Sequence, residues 1–93
     1  MYSKITKIRN ISGLHARPAA EFVSCAKGFT SKVKLRSIAD DEIANAKSIV
    51  MILALGLGAG SDVEIIADGT DEVSAVDTLT SLIVSVFGEE LSV

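Results

Sequence analysis

The chain has one histidine, and an arginine follows it two positions later. His15 stands between a turn containing Gly13 and a helical stretch that starts at Ala16. Its ring is therefore expected at a helix N-terminus, where the first backbone N–H groups have no intrahelical partner. Such an end attracts anions, because free N–H groups and the positive end of the helix dipole act together. Arg17 can add a charge-assisted, bidentate contact to the same anion. These positive surroundings disfavour imidazolium and keep the ring neutral, with a nitrogen lone pair available. A neutral imidazole beside an anion-binding end is suited to accept a phosphoryl group: the nitrogen attacks phosphorus while amides and Arg17 hold the oxygens. The alternative is an incidental loop histidine next to a solvated arginine, and spacing alone leaves both open.

Other residues carry weaker signals. Ser48 precedes the apolar run Ile49 to Leu55 and is expected to cap a second helix, a role worth about 1 kcal/mol. Ile49, Val50, Met51, Ile52 and Leu53 are more apolar residues than one helical face can bury. Some of them, with Ile49, Met51 and Ile52 as the choice, are expected on the surface near His15 as a partner-docking patch; a fully buried helix is the alternative. Cys25 is the single cysteine, without a second thiol or an activating cation, so neither a disulfide nor a metal is expected. The segment Gly56-Leu57-Gly58-Ala59-Gly60 lacks the Lys-Ser/Thr of a phosphate-binding loop and precedes a strand, which makes it a helix-to-strand turn.

The positioning elements follow from periodicity. Residues 2–9 read as a strand ending at Asn10-Ile11-Ser12-Gly13. In 16–27, Ala19, Phe22, Val23 and Ala26 form the stripe of an amphipathic helix, with Pro18 in its first turn and Gly28 at its stop. Residues 31–37 alternate, Val33 and Leu35 inward against Lys32, Lys34 and Arg36 outward. A turn at 39–41 leads to a short strand at 42–45, then to 49–55, where Ser48, the Met/Leu/Ala content and Gly56 favour a short helix over a buried strand, and to a strand over 62–67. Thr70 is the expected cap of a last helix in which Asp71 and Glu72 suit the positive end, and Val76, Leu79, Ile83 and Val86 recur on one face before Gly88. The order β-α-β-β-α-β-α predicts an α+β fold: a four-stranded antiparallel sheet with three helices on one face and solvent on the other.

With 93 residues, 48% hydrophobic and 23% charged, the chain suits a single domain over 1–93, with 88–93 as a short tail, and not a multidomain enzyme or a disordered segment. No signal-peptide pattern or membrane-length apolar run occurs, so a soluble, cytoplasmic protein is expected. Residues 1–36 hold eight basic residues and one acid, a charge of +7, whereas 37–93 hold one lysine and eleven acids, a charge of −10. The surface is strongly dipolar if these halves occupy separate regions, and averages out if they interleave.

Two blocks carry a family resemblance. Gly13-Leu14-His15-Ala16-Arg17-Pro18-Ala19-Ala20, with Phe22-Val23 and Ala26-Lys27-Gly28-Phe29, resembles the active-site segment of HPr, the histidine-containing phosphocarrier family of the bacterial phosphoenolpyruvate:sugar phosphotransferase system. Asn45-Ala46-Lys47-Ser48-Ile49, then Leu55-Gly56-Leu57 and Gly60, resembles that family's regulatory-serine segment, and the element order matches its open-faced β-sandwich. The interval from His15 to Ser48 is longer than usual in the family, with the extra residues expected in 37–42. The resemblance implies that enzyme I, charged by phosphoenolpyruvate, donates a phosphoryl group to Nδ1 of His15, which passes it to sugar-specific IIA components. Arg17, with the amides of Ala16 and Arg17, would hold the group, and Ser48 would be a site for HPr kinase/phosphorylase. The chain is then a monomeric phosphoprotein without cofactor or metal, carrying a transient phosphohistidine; it is a substrate of other enzymes and not an enzyme itself.

Two rival readings fit the same residues. One is a regulatory interaction module of the same fold acting through Ser48 and the second helix. The other is a nucleic-acid-binding domain using Lys32, Lys34 and Arg36, which the four aromatic residues and the acidic second half disfavour.

Overall fold

The computed structural model describes residues 1–8, 16–58 and 60–87. Seven elements follow in order: β1 (Tyr2–Lys7), α1 (Ala16–Lys27), β2 (Lys32–Ser37), β3 (Glu42–Asn45), α2 (Ile49–Ala54), β4 (Asp62–Asp68) and α3 (Glu72–Ser81). The strands form one antiparallel sheet in the order β1-β4-β2-β3, as the α+β reading expects. Val33 and Leu35 of β2 and Val63, Ile65 and Ala67 of β4 are buried on its inner face. Against them pack Ala19, Phe22, Val23 and Ala26 of α1, Ile52 of α2, and Ala75, Val76 and Leu79 of α3. All four residues of the α1 stripe are thus in the core, which fixes the roll of this helix and with it the direction of its exposed residues. Removing the Phe22 ring would cost about 3–5 kcal/mol.

Some boundaries differ from expectation. β1 ends at Lys7, because Ile8 is fully buried and is held by the loop before β4: its N–H donates to Ser61 O at 2.8 Å and its carbonyl accepts from Gly60 N at 2.7 Å. Arg9, the turn at 10–13 and His15 lie outside the described residues. The connection 38–41 between β2 and β3 is a tight turn with Asp41 at a positive φ of 53°. Thr70 does not cap α3. Asp71 occupies that position, but its side chain makes no cap hydrogen bond. Its carboxylate instead accepts from the N–H groups of Thr30 and Ser31, both at 2.9 Å, and from the Ser31 hydroxyl. Glu72 accepts from Gly69 N, ahead of the helix, at 3.2 Å. Beyond Ser81 the helix widens into a π-helical turn over Leu82–Phe87, which keeps Ile83 in the core.

The charge asymmetry along the chain averages out over the sheet. The basic strands β1 and β2 flank the acidic β4, so Lys7 meets Asp62 at 3.2 Å and Arg36 meets Glu64 at 2.9 Å. Arg36 also reaches Asp41 at 2.8 Å, and Lys4 pairs with Asp77 of α3 at 2.7 Å. The Arg36 guanidinium, with a further hydrogen bond from Ser3, holds the Glu64 carboxyl below its usual range. Exposed pairs of this kind contribute about 0–1 kcal/mol each. Their effect is to leave Lys32 and Lys34 as the outward cations of β2 without a carboxylate at ion-pair distance among the described residues.

Candidate functional site

The first turn of α1 begins at Ala16, the residue after His15 in the chain. Its leading N–H groups have no partner inside the helix, and Pro18 has none to offer. Pro18 is buried, which pins this turn to the body of the protein, while the next position back points outward: the Arg17 side chain is 90% exposed. Its Nε lies 3.8 Å from Oε1 of Glu21, a loose i,i+4 contact that leaves the guanidinium free to reorient. The first turn of α1 therefore presents the Arg17 cation to solvent. His15 itself lies outside the described residues.

Ser48 sits where capping requires. Its backbone is extended, with φ −116° and ψ 111°, and its Oγ accepts a long hydrogen bond from Met51 N at 3.4 Å. The turn before it is tightly built. Asn45 Oδ1 accepts from Lys47 N at 2.9 Å, Ser48 N donates to Asn45 O at 3.0 Å, and Lys47 Nζ donates to Phe29 O at 2.7 Å. The lysine thereby ties the entrance of α2 to the exit of α1. Gly56, at a φ of 62° that other residues adopt only with strain, closes α2.

α2 spans only six residues and buries Ile52 completely, so Ile52 is a core residue and not part of a docking surface. The exposed apolar side chains are Val50, at 73%, with Met51 and Leu53. Ile49 is half-buried and lines a shallow cavity of about 280 Å³ with Ala20, Val23, Ser24 and Lys27 of α1. Arg17, Ala20, Ser24 and Lys27 share the exposed stripe of α1, and Ile49 adjoins its C-terminal half. Sequence reasoning missed Val50, Leu53 and this α1 stripe, although the i, i+3, i+7 spacing of the last was legible as the polar complement of the buried one. Burial raises the Cys25 thiol above its ordinary value, which favours the protonated, unreactive form.

No helix among the described residues is long and apolar enough to cross a membrane. A family model described as the PTS HPr component phosphorylation site matches residues 2–85. The chain is 40% identical over 90 residues to the phosphocarrier protein HPr of Treponema pallidum, across 97% of this chain and 100% of that one. The crystal structure of HPr-C-His from Thermoanaerobacter tengcongensis superposes with a TM-score of 0.90 at 44% identity, covering 97% of this chain and 99% of that one. An HPr dimer from the same organism matches with a TM-score of 0.73 at 44% identity, over 89% of this chain and 93% of that one.

Proposed function

The chain belongs to the HPr family of phosphotransferase-system components, and on that premise we propose that it carries a phosphoryl group on His15 between enzyme I and sugar-specific IIA proteins. The observation that carries this reading is the first turn of α1, which begins directly after His15 and holds the Arg17 side chain exposed to solvent. In the transfer, the Nδ1 lone pair of neutral His15 forms a bond to phosphorus as the bond from phosphorus to the donor breaks, its electron pair leaving with the donor. Amides of Ala16 and Arg17 and the Arg17 guanidinium stabilise the oxygens.

The stabilisation has to be moderate. A group held too tightly in the ground state meets a higher barrier to leaving, and a carrier needs both steps. A helix end with a solvent-exposed guanidinium supplies such moderate binding and admits two partners in turn. Ile49, Val50, Met51 and Leu53 of α2 provide the apolar docking surface alongside α1.

Ser48 is the proposed regulatory site, modified by HPr kinase/phosphorylase. A phosphate there adds about −1.5 to −2 charge beside the same docking surface. The chain acts as a monomer in this reading, in the cytoplasm, and needs neither cofactor nor metal. The test is incubation with enzyme I and labelled phosphoenolpyruvate. An acid-labile phosphate on the wild-type chain, absent from His15→Ala, supports the carrier; a chain that stays unlabelled leaves the regulatory module as the better account.

A further inference from the structure

A second concavity lies away from the first turn of α1. A cleft of about 420 Å³ runs over the β2–β3 edge to the start of α2, lined by Lys32, Val33, Lys34, Ile43, Asn45, Lys47 and Met51. Three of these residues are lysines and none is acidic. In a protein of net charge −3 that concentration of positive charge is local, and the carboxylate in register with Lys32, Asp68, lines an adjoining concavity with Lys32 and Lys34. Asp68 also lies 3.8 Å from the amino terminus of Met1. Lys47 gives one hydrogen bond to Phe29 O and keeps two N–H donors. Ile43 and Met51 are both substantially exposed, so the cleft also offers apolar surface that nothing in the fold covers.

We propose that this cleft binds a small organic phosphate monoester, with the phosphate among Lys32, Lys34 and Lys47 and the organic body against Ile43 and Met51. The volume falls in the range of small-ligand sites, and the mixture of apolar lining with a few polar groups is typical of them. Charge selects the head group. A monoester carries about −1.5 to −2 at neutral pH, which balances clustered ammonium groups better than a single carboxylate does. Asn45 adds a neutral donor at the rim. Because Lys47 and Met51 flank Ser48 in the chain, an occupant lies beside the α2 cap.

Phenyl phosphate is the probe, followed by backbone amide NMR on the intact chain. The expected result is a saturable response confined to the strand and turn residues of the cleft, with inorganic phosphate and benzoate each binding at least about fivefold more weakly. Lys34→Gln, at an exposed strand position, weakens binding by about fivefold while the melting temperature stays put. Ile43→Ser weakens phenyl phosphate and leaves inorganic phosphate unchanged. No saturation up to about 10 mM, equal binding of inorganic phosphate, or a response carried by the amides of the first turn of α1 would each overturn the assignment.

Discussion

Asp71 and Ser31, forty residues apart in the chain, are joined twice: the Asp71 carboxylate accepts from both the N–H and the hydroxyl of Ser31. With a third bond from Thr30 N, these donors depress the Asp71 carboxyl from its ordinary 3.8 to about 2. The contact clamps the start of α3 onto the segment that joins α1 to β2.

Linkage gives this clamp a pH signature. The folded value lies below the unfolded one, so the stabilisation is fully present above pH 4 and is lost as pH falls towards 2. Melting temperature followed across that window should drop in the wild type, and the drop should be shallower in Asp71→Asn, which is also less stable at neutral pH. Parallel curves for the two proteins would remove Asp71 from the account.

Gly69 approaches the same clamp. A methyl group there would lie 2.5 Å from the Ser31 Oγ and 2.7 Å from its Cα, and Asp71 holds Ser31 in place. Gly69→Ala is expected to destabilise by about 1–3 kcal/mol, whereas Gly58→Ala, whose methyl would meet open space, should change little. Urea denaturation of the pair checks this contrast.

At the proposed phosphoryl site, Arg17→Ala should slow acceptance from enzyme I by about a hundredfold or more, as loss of one donor to developing oxyanion charge does. The side chain is almost fully exposed, so stability should change by less than about 0.5 kcal/mol. Stopped-flow transfer rates combined with thermal melts distinguish this outcome from general unfolding.

α2 separates docking from packing. Val50→Ser and Met51→Ser should weaken transfer with little effect on stability, while Ile52→Ala should cost about 2–5 kcal/mol because that side chain is fully buried. Ser48→Ala removes the cap and costs about 1 kcal/mol. Ser48→Asp places a carboxylate beside the docking surface and should slow acceptance from enzyme I. Unchanged kinetics for Ser48→Asp would argue against charge-based regulation there.

Elements with one buried face were legible from the chain. α1, β2 and β4 appear within a residue of their periodic patterns, because burial of Phe22, Val33 or Ile65 leaves a regular mark on neighbouring positions. α2 was harder. Five successive apolar residues, Ile49 to Leu53, contain no alternation that says which one is inward, and only packing against α1 and the sheet selects Ile52. The capping of α3 was misread for a different reason. Thr70 and Asp71 are both good caps locally, but Thr30 and Ser31, which claim the Asp71 carboxylate, are distant in sequence. At the site, the exposure of Arg17 and the cap at Ser48 were readable from helix boundaries, whereas the clustering of Lys32, Lys34 and Lys47 depends on how β3 pairs and on where α2 begins.

The most direct measurement is phosphorus NMR of the chain through one cycle: first with enzyme I and phosphoenolpyruvate, then after addition of a IIA protein. A phosphoramidate resonance that arises in the first step, disappears in the second, and is missing from His15→Ala is the predicted result. A resonance that never forms, that persists after IIA is added, or that survives in His15→Ala would contradict the carrier mechanism.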